Sequence, residues 1–152
     1  MNDEQVMLEC GSGGSMMKRI IDEVFFDAYG SPELAEGNDA AVLPLLETPG
    51  SQLAFSTDSF VATPHFFPGG NIGRLAVCGT VNDVATSGAV PKYISVALVL
   101  EEGFPMEDLK SVCASIREAV DEAGVRVVTG DTKVVNRGHG DGIYINTSGV
   151  GE

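Results

Sequence analysis

An apolar stripe at helical spacing, Leu109, Val112, Cys113, Ile116 and Val120, lies between two runs of β-branched and aliphatic residues, Tyr93 to Leu100 and Val125 to Thr129. A stripe of period 3.6 between runs that suit strands commits this part of the chain to a helix packed on a sheet. The spacing predicts a helix over Met106 to Ala123, stopped by Gly124. The same alternation runs on both sides of it. Ile20, Ile21, Val24, Phe25 and Ala28 give a helix from about Ser15 to Tyr29, ended by Gly30 and Pro32. Gln52 to Ala62 reads as a strand. Asn71 to Ser87 reads as a helix apolar on most sides, and so buried on most sides. Gly142 to Val150 is a strand that follows a glycine-rich turn over 136–141.

The segments between are shorter. Residues 1–10 are expected to be a mobile lead-in, and 31–39 a loop. Ala40 to Leu45 is interrupted by Pro44 and is an edge strand at best. Pro64 to Gly70 is a loop that carries His65, Phe66 and Phe67. The order helix, strand, helix, strand, helix, strand, strand specifies an α/β sandwich: a mixed sheet of about four strands, with a hairpin at its end.

With 152 residues the chain suits one domain with a real core. Its formal net charge of −13 repels phosphate backbones and anionic lipid, which argues against nucleic-acid and membrane partners. Cys10, Cys78 and Cys113 are far apart and show no metal-ligand spacing, as expected of reduced thiols in the cytoplasm. His65 and His139 have no partner at a helical metal spacing. No apolar run is long enough to span a bilayer as a helix, and the N-terminus lacks a basic n-region.

Chemistry concentrates around lone aspartates beside Gly, Thr or Asn. Gly130-Asp131-Thr132-Lys133 follows a buried strand, Ser56-Thr57-Asp58 lies within one, and Asn82-Asp83 lies on a nearly uncharged helix whose polar flank also carries Thr80. A carboxylate in such a place is costly unless a cation or several donors satisfy it. Mg²⁺ takes oxygen ligands, commonly one or two carboxylates together with phosphate oxygens. The plain alternative for each aspartate, Asp39 in Gly37-Asn38-Asp39 included, is a cap or a turn. As a set they favour a Mg²⁺–nucleoside triphosphate site. Asp58, Asp83 and Asp131 are expected to converge on the ion, with Lys133 reaching phosphate oxygens as a point charge, whereas a ligand role for Asp39 needs company. Gly11-Ser12-Gly13-Gly14 precedes a helix and could offer backbone N–H groups to phosphate. It is neither a Walker A loop nor a GxGxxG fingerprint.

Several motifs together resemble one family. They are Gly-Ser-Gly-Gly near the start, Phe-Ser-Thr-Asp-Ser-Phe, Phe-Phe-Pro-Gly-Gly-Asn-Ile-Gly, Cys-Gly-Thr-Val-Asn-Asp-Val-Ala, Leu-Glu-Glu-Gly and Val-Thr-Gly-Asp-Thr-Lys-Val-Val. From Gly11 to Glu152 the chain is similar to the HypE carbamoyl dehydratases of the aminoimidazole ribonucleotide synthetase-like superfamily. The resemblance implies an ATP-binding and dimerising domain over 11–152, with helices on one face of the sheet and sheets paired across a homodimer. It implies ATP and Mg²⁺, with Asp39, Asp58, Asp83 and Asp131 as metal ligands and Asp83 and Lys133 as catalytic residues. Gly11, Ser12, Gly13, Gly14, Thr57, Asp58, Thr80, Asn82, Asp83, Gly130, Asp131, Thr132 and Lys133 would bind the nucleotide.

In that family a carbamoyltransferase partner loads the enzyme's own C-terminal cysteine. ATP-dependent dehydration gives a thiocyanate, and an iron-carrying complex takes the cyanide towards the nickel–iron hydrogenase centre. This chain has neither the second domain nor the tail cysteine, so it is expected to be an N-terminal piece, inactive in cyanation alone. Cys10 stands where relatives often have His, so no catalytic role passes to that position. The rival readings are a selenophosphate synthetase or thiamine-phosphate kinase-like enzyme, and a non-catalytic dimerisation or partner-binding module anchored by Phe66 and Phe67.

Overall fold

A computed structural model describes residues 5–38, 40–44 and 46–152. The helical segments are α1 (Ser15–Ile20), a π-helical turn over Ile21–Phe26, α2 (Asp27–Tyr29), α3 (Pro32–Ala35), α4 (Ile72–Thr86) and α5 (Met106–Ala123). The strands are β1 (Ala54–Phe60), β2 (Phe66–Phe67), β3 (Gly70–Asn71), β4 (Pro91–Glu101), β5 (Arg126–Val135) and β6 (Ile143–Gly151). The main sheet has the order β1-β6-β4-β5, and β2 and β3 form a small separate hairpin. β4 and β5 run parallel, joined through α5, while β6 is antiparallel to both β1 and β4. The sheet is therefore mixed and four-stranded, as the alternation required, but the expected closing hairpin does not form: β6 inserts between β1 and β4 and does not pair with β5.

Side chains alternate across the sheet. Ile94, Val96, Leu98 and Leu100 of β4 and Ile143 and Ile145 of β6 are buried beneath the helices. The stripe of α5 is buried along its length, and burial pushes the Cys113 thiol up to about 12. α4 packs closely on α5: a Cβ at Gly73 would lie 2.5 Å from the Val112 carbonyl oxygen. Asn71 caps α4, its Oδ1 accepting from the N–H of Gly73 at 2.9 Å. Among the described residues no helix is long and apolar enough to cross a membrane.

Four local expectations are corrected. Residues 5–10 are not a free lead-in. Val6 is fully buried, donates its N–H to the Phe104 carbonyl at 2.8 Å and accepts from the N–H of Gly103 at 2.7 Å. The apolar side chain outweighs the polar surroundings that suggested a tail. Within the expected loop 31–39, Ser31 caps a short helix whose first residue, Pro32, carries a φ preset for that position. Residues 41–44 form no strand, and Leu45 lies outside the described residues. Finally, β5 does not stop at Thr129 but runs through Gly-Asp-Thr-Lys to Val135. An edge strand tolerates Gly and Asp where a central strand would not.

One carboxylate ties the turn over 47–51 to the end of the sheet. Glu152 accepts from Lys92 Nζ at 2.7 Å, from Ser51 Oγ, and from the backbone N–H groups of Glu47 and Thr48. The Lys92 and Ser51 bonds, with those N–H groups, hold its pKa far below the ordinary 4.5. A lowered folded-state pKa gives stability that is present above the unfolded value and lost as pH falls through the folded one. Urea unfolding should therefore show stability declining below about pH 4.5, and Glu152→Gln should flatten part of that decline while lowering stability at neutral pH. Equal acid slopes in the two proteins would remove Glu152 from the account.

Candidate functional site

A cavity of about 450 Å³ opens along the outer edge of β5. Ile21, Phe26, Leu34 and Asn38 line one side, and Gly130, Asp131 and Thr132 the other. The π turn shapes the apolar wall. Its wider winding sets Ile21 and Phe26 towards the opening, where they stay 42% and 43% exposed, while Val24 and Phe25 of the same turn are buried. A chain reading at 3.6-residue spacing gives one uninterrupted helix here, so this wall was not legible from the sequence.

β5 supplies the polar wall. Gly130, Asp131 and Thr132 line it; Asp131 and Lys133, two residues apart, share the strand face opposite to that of Gly130, and Lys133 Nζ donates to Asp131 Oδ1 at 2.9 Å. That hydrogen bond lowers the Asp131 pKa. Gly130 lies in register with Val96 on the helix-covered side, where any Cβ would overlap the Val96 carbonyl oxygen. Gly11 meets the same strand, for a Cβ there would lie 2.5 Å from Val134 N. The fold thus brings the start of Gly11-Ser12-Gly13-Gly14 beside Gly130 to Lys133. Ser12 is engaged locally, its Oγ donating to the Glu9 carbonyl at 3.0 Å.

The remaining candidates gather at the opposite edge of the sheet. Ser56 Oγ donates to Asp83 Oδ2 at 3.2 Å, linking β1 to α4. Asp58, two residues along β1 on the same face, accepts from the N–H of Ser59 at 2.7 Å. Asp58, Asn82 and Asp83 are exposed. Thr57 points to the other face and donates to the Thr147 carbonyl at 3.1 Å. Thr80 is fully buried and shares a 2.6 Å hydrogen bond with the Thr147 hydroxyl, so in this chain it braces α4 on β6 rather than lining a groove.

Asp58 and Asp83 therefore do not converge with Asp131 within one chain. Asp58, Thr147, Val96 and Gly130 form one row across the sheet, which separates the two groups by three strand spacings, about 14 Å. Asp39 lies outside the described residues. Among the described residues no group of three or more His, Cys, Asp or Glu could hold a metal ion. What each chain presents is a half-polar, half-apolar cleft at one edge and a pair of carboxylates at the other.

This chain belongs to the AIR synthase related protein family, whose N-terminal domain it matches over residues 37–152. Within that frame it is similar to the carbamoyl dehydratase HypE of Escherichia coli (strain K12), with 55% identity over 148 residues, 96% of this chain and 44% of the relative. It is also similar to the crystal structure of a hydrogenase maturation protein HypE in complex with ATP. That likeness has a TM-score of 0.92 at 51% identity and covers 96% of this chain and 42% of the other. The structure of a HypE–HypF complex matches with a TM-score of 0.66 at 51% identity, over 87% of this chain and 41% of the other. The chain spans less than half the length of each of these relatives.

Proposed function

We propose that this chain is the Mg-ATP-binding and dimer-forming part of a carbamoyl dehydratase that serves hydrogenase maturation in the cytoplasm. The observation that carries the reading is the β5 cleft, found on a chain that matches part of an ATP-bound HypE over 96% of its own residues. The residues fit the ligand. Gly130 leaves no room for a side chain between β5 and β4, and Gly11 none between the N-terminal turn and β5, so both hold the backbone around the cleft closely packed. Ile21 and Phe26 offer an apolar wall to a flat base, Asp131 in the lining offers a carboxylate to a metal ion, and Lys133, bonded to Asp131 beyond the lining, would offer its charge to phosphate.

Bound Mg²⁺ would neutralise charge on the phosphates. For its part, Asp131 would turn to the ion and release Lys133, whose Nζ would then face phosphate oxygens. The activity of the whole protein would follow from this. Phosphorylation of a carboxamide oxygen on an S-carbamoyl cysteine replaces a poor leaving group with a good one. Loss of phosphate then leaves a thiocyanate. A carbamoyltransferase such as the HypF of the complex would load the cysteine, and an iron-carrying complex would accept the cyanide.

The separation of the two acidic groups favours a homodimer in which a second copy presents Asp58 and Asp83 to the β5 cleft of the first. Asp39 is proposed as a further ligand. Calorimetry with Mg-ATP tests the reading, and its complete absence of binding would end it. Asp83→Asn should weaken Mg-ATP binding about tenfold, as expected for loss of one charged contact, without changing the melting temperature. If sites are shared between copies, mixing Asp83→Asn with Asp131→Asn protein should restore a fraction of wild-type-affinity sites. No recovery on mixing would confine each site to one chain.

A further inference from the structure

Ser31 to Asn38 covers the cavity from the side opposite the β5 edge, through Leu34, Gly37 and Asn38. α3 within it is a compact unit: Ser31 Oγ accepts from the N–H of Leu34 at 3.2 Å, and Pro32 stiffens the first turn. Glycines flank it. Gly30 sits where a Cβ would meet the Phe26 carbonyl oxygen at 2.5 Å, and Gly37 has φ +66°, in the left-handed region. Backbone rotation concentrates at such positions.

Among the described residues one side-chain bond joins this segment to the sheet: Arg126 Nη2 donates to Glu33 Oε1 at 2.7 Å. The anchor on β5 is itself supported, since the Arg126 guanidinium carbon lies 5.1 Å from the centre of the Tyr93 ring, a cation–π arrangement. The Glu33 side chain is only 16% exposed. Burial opposes its charge, but the Arg126 bond, helped by the Glu33 N–H and Ser31, outweighs it and lowers the pKa, while Oε2 is buried and makes no hydrogen bond of good geometry. A buried carboxylate oxygen without a donor is costly. The natural donor is already present, because a guanidinium is a fork that binds both oxygens of a carboxylate at once. A small rotation of α3 about its two glycines would turn the one-point contact into a two-point contact.

We propose that Glu33 and Arg126 form a latch, in which residues 31–38 close over a nucleotide in the β5 cleft and closure completes the forked pair. This rests on the nucleotide reading above and adds to it how the ligand is retained. Arg126 is a positioning residue: it acts through Glu33 and touches no nucleotide.

The test uses calorimetry and backbone hydrogen exchange over 31–38, with and without Mg-ATP. Arg126→Lys keeps the charge but cannot fork, and Glu33→Gln removes the charge from the other side. In wild type, Mg-ATP should slow exchange over 31–38. Each variant should keep its melting temperature, bind Mg-ATP about tenfold more weakly and lose the slowing, because the closed state is less populated. Wild type that binds without slowed exchange, or variants that bind and slow as wild type does, would overturn the latch and leave the nucleotide reading standing. Wild type that fails to bind Mg-ATP would overturn both.

Discussion

Gly130→Ala should cost about 3 kcal/mol of stability and about a hundredfold in Mg-ATP affinity. The added methyl group has no free rotation with which to escape, and it falls on the carbonyl oxygen of Val96 in the adjacent strand. Relief requires β5 to move away from β4 or the Gly130 peptide to twist. Either change carries Asp131 and Thr132 with it, because they follow directly on the same strand and line the cleft. Thermal melts and calorimetry read the two losses separately. An alanine variant that melts like wild type and binds normally would show that the parallel pair has slack at this point, and the geometric case for the glycine would fall.

Leu98→Ala should destabilise by a similar amount through a different cause, and should leave binding intact. Leu98 lies on β4, between β6 and β5, and is 2% exposed beneath the helices. Removing three carbons from a packed site loses transfer energy and leaves a cavity, about 3 kcal/mol in such positions. In a chain of this size that lowers the melting temperature by about 6–12 °C. Leu98 stands in register with Thr132 of β5, but that pairing is made by the backbone and survives the substitution, so below the transition the variant should titrate with Mg-ATP as wild type does. The pair of substitutions separates stability from the site. Equal binding losses in both would mean that the cleft depends on the whole core rather than on the geometry of one strand.

How far the sequence reached follows from which signals are local. α5 was legible to its ends because a period-3.6 stripe, its acidic first turn and Gly124 at φ +68° all agree. α4 was legible from an apolar run of helical length, with Asn71 as its cap. Gly-Asp-Thr-Lys misled, because Gly and Asp usually mark the end of a strand. Here Lys133 satisfies Asp131 along one face of an edge strand, a pairing visible only once the strand is known to continue. The π turn leaves no mark in hydrophobic spacing, and α3 is too short for periodicity to register. The acidic residues were recognised by type, but their partition between two edges depends on the order β1-β6-β4-β5, which no spacing encodes. Thr80 shared the polar flank of its helix with Asp83, yet it turns inward to Thr147.

The placement of β6 has a bearing on biosynthesis. Of the four strands in the main sheet it comes latest in the sequence, yet both β1 and β4 depend on it for pairing. While the ribosome has released only the first three, β1 has no neighbour to bind and β4 shows one naked side. The nascent polypeptide must hold those surfaces apart, unaided or in the care of a chaperone, until residues 143–151 emerge and zip the two halves together.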